Sequence, residues 1–395
     1  MDLLLDCPEL TSRRYDLQPY RPFMLQRIQR YFYWTSCTAL VMLLCNIGRV
    51  EKVCKMLKVP PLLSIIITCY NYEMYIGECI KSVLSQNYDN LEIIVVDDGS
   101  TDQSWQKIQE FGDKIVAVRT ENRGQLKTSL TGLSLSHGDF VYFLDADDVL
   151  GEGALAHIEP YLRPSVSKIQ FMLLPIDKNG KSIGNAFPTL QPSDDSGPLI
   201  QSIRARGYYN TPPTSGNIYR RDVYEGLGEM TYERGIDGVS YLLAPFVGRV
   251  VSIDKTLGKY RIHNANQSSF SVLTSKRMKG YIDRFMGRLH HLDELVKARC
   301  STMDKLEVRN DYAYVMELKT MSLVVDGKRP GVSQISAYIR AVRRENTGKK
   351  RLALCLFALA LFVLPNAIAK RLAAIRIDPS RSRQMRSRLK QAFSV

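Results

Sequence analysis

From Leu63 onward, short β-branched runs alternate with stretches in which apolar residues recur every three or four positions. Ser64–Thr68 (SIIIT) has no polar residue between its ends, so it reads as a strand covered on both faces. Ile76, Ile80, Val83 and Leu84 then fall on one helical stripe, and Glu92–Val96 (EIIVV) is a second strand. A helix over 101–111 follows, with Thr101 or Asp102 placed to cap it. Ile115–Val118, Gln125–Ser136 and Phe140–Leu144 continue as strand, helix and strand. This β-α-β-α-β-α-β order predicts an α/β fold with a mostly parallel sheet flanked by helices.

Residues 160–265 are less periodic, with short strands expected at 169–174 and 250–253 and a short helix at 239–243. Residues 276–348 read as a helical region, broken near 327–331. Leu352–Ala369 is uncharged and would extend about 27 Å as a single helix, near the minimum for a bilayer core. Lys349-Lys350-Arg351 precede it and Lys370-Arg371 follow. A spanning helix would set one basic cluster on the side that positive charge avoids, and Pro365-Asn366 interrupt the run. An interfacial or re-entrant helix on anionic lipid fits both facts, so 349–395 is expected to associate with a membrane. A true span and a soluble core helix are the alternatives. The extension 1–60 holds another apolar run, Tyr31–Gly48, which carries Thr35, Ser36, Thr38 and Asn46. It lies too far from the start for a secretory signal; its length is borderline for a transmembrane helix, and a buried or interfacial helix is the favoured expectation.

Composition narrows the class. Of 395 residues, 45% are hydrophobic and 24% charged, which excludes a disordered chain. A mean hydropathy of −0.17 excludes a polytopic membrane protein. Eight cysteines without a CxxC pair, and only five histidines, argue against structural zinc and for reduced thiols in the cytoplasm. The net charge is +14, and the segment from Lys370 to Val395 holds eight basic residues against the single acid Asp378. Because that tail follows an apolar run, the expected partner is an anionic membrane surface and not nucleic acid.

In a parallel α/β sheet, ligands bind at the carboxyl ends of the strands. Asp97 and Asp98 close the second strand; Asp145, Asp147 and Asp148 (FLDADD) close the fourth. Each cluster alone is compatible with an ordinary capped turn. Together they crowd like charges at one edge of a buried sheet, a conflict that Mg²⁺ or Mn²⁺ relieves. Such an ion implies a phosphate-bearing ligand. No GxxxxGK[ST] loop is present and no GxGxxG follows the first strand, which argues against a P-loop ATPase and a dinucleotide dehydrogenase.

Four motifs, SIIITCYNYEMYIGECIKSVLSQ, LEIIVVDDGSTD, ENRGQ and HGDFVYFLDADD, together resemble the nucleotide-sugar-binding half of the family 2 glycosyltransferases, which have the GT-A fold. The resemblance continues through PTSGNIYRRDVYEGLG and GKYRIHNANQSS, over roughly 63–270. It implies a nucleotide-sugar-binding half at 61–150 and an acceptor-binding, catalytic half at 151–275. It also implies that Thr68 and Tyr70 line the base pocket, that Asp98 bonds the base or ribose, and that Asp145 meets the ribose. Asp147, with Asp148 beside it, would bind the metal, and His263 would be a further ligand or steady the leaving group. Gly216 would lie beside the acceptor, and Asn71 would shape the loop.

Sugar transfer with inversion needs a base for the acceptor hydroxyl, and a metal ion to stabilise the departing diphosphate. The family uses the aspartate of a Glu-Asp pair downstream of the metal motif, which here points to Asp237 in ERGIDGVSYLL. Ile236 stands where the first acid of the pair is expected, with Glu233 three residues back. Ser129 replaces an arginine often seen in the third helix, leaving Lys127 as the expected phosphate-facing charge. The resulting expectation is a metal-dependent inverting enzyme that moves a sugar, from a UDP-sugar by preference, to a glycan or lipid-linked acceptor of the cell surface. It would work at the inner face of the membrane. The rivals are a nucleotidyltransferase, which lacks its Gly-rich basic loop here, and a catalytically dead module that binds membranes.

Overall fold

The computed structural model describes residues 60–263, 274–300 and 305–377. The Tyr31–Gly48 run, the basic stretch after Ile377 and the 258–269 motif beyond His263 lie outside them. The chain divides into Met1–Pro60 and Pro61–Val395, and the second unit carries every element below.

The first half folds as β1 (Leu63–Cys69), α1 (Ile76–Leu84), β2 (Leu91–Asp97), α2 (Ser104–Gln109), β3 (Val116–Arg119), α3 (Gln125–Leu135) and β4 (Phe140–Asp145). The four strands run parallel in the order β3-β2-β1-β4. Alternate residues of one strand feed two different cores. Leu63, Ile65 and Ile67 pack with Ile76, Ile80 and Val83 of α1, while Ile66 packs with Ile94, Val96 and Phe143 on the opposite face. That two-sided burial is why these strands lack internal polar positions. Neither Thr101 nor Asp102 is the N-cap of α2; that place falls to Gln103, without a side-chain cap. Asp102 instead bridges segments, accepting the Ser104 N–H at 2.9 Å and the Glu73 N–H at 3.1 Å.

The second half adds β5 (Val149–Leu150), α4 (Ala154–Ile158), β6 (Val166–Ile176), α5 (Gly197–Arg206), β7 (Asn217–Arg220), α6 (Ser240–Val247) and β8 (Arg249–Arg261). They extend the same sheet in the order β4-β7-β6-β8-β5. The sheet is mostly parallel, as expected: β6 and β8 run in the same direction as β1–β4, and among the described strands β7, antiparallel to β4 and β6, and β5, antiparallel to β8, run against them. β8 is far longer than the expected 250–253. Exposed Asp254 and Lys255 fall at a register shift against β6, which breaks the alternation a sequence pattern relies on.

Five helices close the chain: α7 (Ser275–Arg299), α8 (Ala313–Val325), α9 (Val332–Glu345), α10 (Gly348–Val363) and α11 (Asn366–Ile377). Leu289, Leu292 and Val296 of α7 pack with Leu242 and Leu243 of α6 on the second core. The uncharged 352–369 run is two helices and not one. Leu364 is extended, as a residue before proline prefers, and Pro365 separates them. Leu354, Ala358, Leu361, Ala369 and Ala373 are buried in the helical region, whereas Leu352, Leu356, Leu359 and Val363 are exposed. Among the described residues, no helix is long and apolar enough to cross a membrane.

Candidate active site

A cavity of about 430 Å³ opens where β1, β2 and β4 end. Thr68 and Tyr70 line it from β1 and its following turn, Asp98 from the end of β2, and Asp145 and Asp147 from the end of β4. Thr214 and Asp237 close it from the second half. A wider hollow of about 640 Å³, lined by Asp222, Glu225, Phe246 and Arg299, shares no residue with this cavity and holds none of the strand-end carboxylates.

Local hydrogen bonds fix the mouth. Asn71 adopts φ +56° and its Oδ1 accepts the Thr101 N–H at 2.8 Å, so it shapes the turn after β1. The two Asp98 oxygens accept the N–H groups of Arg123 and Gly124 at 2.8 and 3.0 Å, which fastens the loop leading into α3. Asp98 therefore orders the wall of the cavity as well as facing it. Asp145 accepts from Gln125 Nε2 at 3.1 Å. Burial, together with the charges of Asp147 and Asp237, pushes the Asp145 carboxyl up to about 8.

Asp147 Oδ2 lies 2.8 Å from His263 Nε2. The imidazole sits against Tyr72 and Tyr75, with ring centroids 5.7 and 5.2 Å away. Arg261 is fully buried here. Its Nε donates to the Asp147 carbonyl at 2.8 Å, its guanidinium bonds Glu78 at 2.6 Å, and its plane approaches the Tyr75 ring at 4.7 Å. Asp148 turns inward and accepts the Arg261 backbone N–H at 2.8 Å, leaving its buried Oδ2 without a hydrogen-bond partner. Burial raises both carboxyls, helped at Asp148 by the neighbouring charges of Asp147 and Asp145 and opposed at Asp147 by His263.

This donor set suits a small divalent cation. Such ions take one or two carboxylates and complete their shell with phosphate oxygens, and an orphaned buried carboxylate oxygen favours a nearby positive charge. Among the described residues, no three side chains converge as a ready-made metal site.

Asp237 enters from the turn before α6, which begins at Ser240 and not at the expected 239. Its Oδ1 is buried without a hydrogen-bond partner, although the side chain lines the cavity. Burial raises its carboxyl; the Thr214 side chain and the charges of Lys168 and Arg288 oppose that rise. Glu233 is buried elsewhere, gripped by the Arg288 guanidinium and folded so tightly under Gly238 that a Cβ there would lie 2.1 Å from Glu233 Oε1.

Four expected residues do not line the cavity: Asp148, which turns inward, His263, which meets Asp147, and Lys127 and Gly216. Lys127 is exposed on α3, and the neighbouring Thr128 lines the wall instead. Gly216 is buried one turn behind Thr214. A Cβ there would meet Pro212 at 2.5 Å, so the glycine permits close packing and does not line the space. Gln125, Tyr72 and Arg261 belong to the site without having been assigned a role from sequence. Gln125 was within reach, because it ends the ENRGQ motif.

Comparison with known proteins follows the same lines. The family described as Glycosyl transferase family 2 matches residues 64–164. An uncharacterized glycosyltransferase of Nostoc sp. is 34% identical over 249 residues, covering 58% of this chain and 76% of the relative. One of Haemophilus influenzae is 28% identical over 221 residues, covering 53% of this chain and 68% of its own. Among solved structures, S. aureus TarS 1-349 in complex with UDP-GlcNAc aligns with a TM-score of 0.49 and 16% identity, over 80% of this chain and 91% of that one. The family match and the Nostoc relative make this chain a sugar-transferring enzyme. The chain belongs to glycosyltransferase family 2.

Proposed function

We propose that the protein is a metal-dependent, inverting glycosyltransferase that transfers a sugar from a nucleotide-diphospho-sugar, by preference a UDP-sugar, to a hydroxyl of a glycan or lipid-linked acceptor. The observation that carries this reading is the cavity that Asp98, Asp145, Asp147 and Asp237 share with Thr68 and Tyr70. Thr68, Tyr70 and Asp98 face the nucleoside, and Asp145 faces the ribose. Asp147 and His263, with Asp148 beside them, would hold Mg²⁺ or Mn²⁺, which when bound supplies charge stabilisation for the departing diphosphate.

Asp237 takes the proton of the acceptor hydroxyl as that oxygen attacks the anomeric carbon. Its Oδ1 has no hydrogen-bond partner to compete for that proton, and burial strengthens it as a base. Gln125 fixes Asp145, while Arg261 fixes the backbone around Asp147 and Asp148. A single displacement by one base inverts the anomeric centre.

The working place in this reading is the inner surface of a membrane, where the product enters cell-surface polysaccharide. Exposed Leu352, Leu356, Leu359 and Val363 form a stripe on α10, flanked by exposed Lys349, Lys350, Arg351, Lys370 and Arg371. Apolar area with basic flanks matches an anionic lipid surface.

The deciding experiment measures UDP binding with and without Mn²⁺ or Mg²⁺, then UDP release across a panel of UDP-sugars. Metal-dependent binding, and release abolished by Asp237→Asn, is the expected result. Binding without turnover of any nucleotide sugar would favour a catalytically dead relative.

A further inference from the structure

Lys168 of β6 is fully buried, 0% exposed, and belongs to none of the motifs above. Its Nζ makes three hydrogen bonds: to Gln170 Oε1 at 3.0 Å, to the Tyr209 hydroxyl at 3.1 Å and to Thr211 Oγ1 at 2.6 Å. The protons of these partners are committed elsewhere. Tyr209 donates to the Tyr241 carbonyl at 2.7 Å, Thr211 donates to Asn217 Oδ1 at 3.1 Å, and Gln170 presents its oxygen while its amide nitrogen donates to Ser252. All three are therefore acceptors toward Lys168. A neutral amine has two N–H groups and an ammonium has three, so this arrangement is complete only with the charged form. The rings of Tyr209, Tyr219 and Tyr241 surround the same nitrogen at 4.9, 5.6 and 5.9 Å, where their π-faces favour a cation.

A buried cation needs a counter-charge. None of the three acceptors is a carboxylate. The Tyr209 hydroxyl that accepts from Lys168 donates to the Tyr241 carbonyl, and the Tyr241 N–H donates to the Asp237 carbonyl at 3.2 Å, so the cage abuts the turn that carries Asp237, whose charge favours the ammonium. We propose that Lys168 is a positioning residue for the reaction: a caged ammonium that holds Asp237 ionised, and thus able to act as base, across a wall of tyrosine side chains. The inference rests on Asp237 being the base. Lys168 touches neither donor nor acceptor.

Other groups also face this pair. The charges of Arg288 from α7 and Glu233 from its own segment act on Asp237, and the Asp237 charge acts on Asp145 of β4 and on Tyr209, Tyr219 and Tyr224. Arg288 is largely neutralised by its two-nitrogen grip on Glu233. The tyrosines are themselves raised by burial and by the Asp237 charge, so they stay neutral. Lys168 is then the cation without a carboxylate of its own in this set. Burial pulls the amine down to about 7, opposed by the Asp237 charge, and the three obligate acceptors oppose it further.

Infrared titration of protein carrying ¹³C-carboxyl aspartate tests this without any donor, the Asp237 band being assigned by subtraction of the Asp237→Asn spectrum. Asp237 should be ionised at pH 7 in the wild type. In Lys168→Met its midpoint should rise by about one pH unit or more, the size of effect an opposite charge exerts on a carboxylate. Lys168→Gln, which restores polar partners without charge, should show the same rise and guards against a folding defect in the methionine variant. A wild-type Asp237 that is protonated at pH 7 overturns the proposal irrespective of the variants, as does an unmoved midpoint in either folded variant.

The pH profile of UDP release from UDP-N-acetylglucosamine, UDP-glucose and UDP-galactose separates the two readings. Loss of charge at Lys168 should move the acid limb of kcat upward by the same amount, with KM unchanged and activity recovering at high pH. An even loss at every pH would show a merely structural lysine. Asp237→Asn with wild-type rates would instead sink the base assignment, even where the infrared shift is present.

Discussion

Arg288 holds Glu233 with two guanidinium nitrogens, and this leaves Asp237 as the acid of the 233–237 segment that lines the cavity. The two acids should therefore fail differently. Asp237→Asn should lower kcat by about 10²–10⁴-fold with UDP affinity nearly unchanged, as expected for loss of a general base. Glu233→Gln should leave more activity but lower stability by roughly 1–3 kcal/mol, because a buried charged partner loses its counter-ion. Paired measurements of kcat, UDP affinity and Tm check this. If Glu233→Gln is the more damaging to kcat in folded protein, the base must be reassigned.

The Asp147 and His263 side chains meet at 2.8 Å beside the raised carboxyls of Asp145 and Asp148. Asp147→Asn should abolish the part of UDP binding that depends on Mn²⁺ or Mg²⁺, and His263→Ala should weaken it. Circular dichroism should remain native in both. Isothermal titration of UDP at two metal concentrations is the measurement, and unchanged metal dependence in Asp147→Asn would remove that residue from the ligand set.

Much of this arrangement was visible in the sequence, for a specific reason. Strands buried on both faces advertise themselves as unbroken apolar runs, and their ends then point to Asp98, Asp145 and Asp147. Lys168 and Gln170 were hidden by the converse effect. They alternate with Ile169 and Phe171 exactly as solvent-facing residues would, yet their face of β6 is covered by Tyr209, Tyr219 and Tyr241. Arg261 was hidden in the same way: it follows Lys259 by two positions at the end of β8, as a solvent-facing charge would, yet proves fully buried. Lys127 was misplaced because sequence spacing gives a helix face but not the depth of the groove above it.

Buried carboxyls also set a dependence of stability on pH. Asp145 is raised to about 8, and Asp147, Asp148 and Asp237 are raised with it. Each binds its proton more tightly in the folded protein than in the unfolded chain. Their favourable contribution is thus complete below the ordinary carboxylate range and is lost as pH rises toward about 8. Without metal or donor, Tm should fall between pH 5 and pH 8, as approximate bounds of that window. Mn²⁺ with UDP should offset the loss by binding the ionised form. Thermal melts in chelator and in Mn²⁺-UDP test this, and a Tm that rises with pH in chelator contradicts it.

The last prediction concerns α10, and the packing decides how it must be tested. Removing 349–395 would also remove Leu354, Ala358, Leu361, Ala369 and Ala373 from the helical core, so a change in partitioning would be confounded with unfolding. Leu352, Leu356 and Val363 are 62%, 57% and 67% exposed and lie on one stripe, so charge placed there leaves that core intact. Leu356→Glu with Val363→Glu should keep Tm within about 1 °C, since isolated surface changes are usually within ±0.5 kcal/mol. The same double variant should lose most of its sedimentation with vesicles containing anionic phosphatidylglycerol, through lost apolar burial and added like-charge repulsion. Neutral phosphatidylcholine vesicles should retain less wild-type protein than anionic ones, because Lys349, Lys350, Arg351, Lys370 and Arg371 flank the stripe. High salt should weaken the charge contribution while leaving the apolar one. Equal sedimentation of the wild type and Leu356→Glu/Val363→Glu would show that this face does not meet lipid.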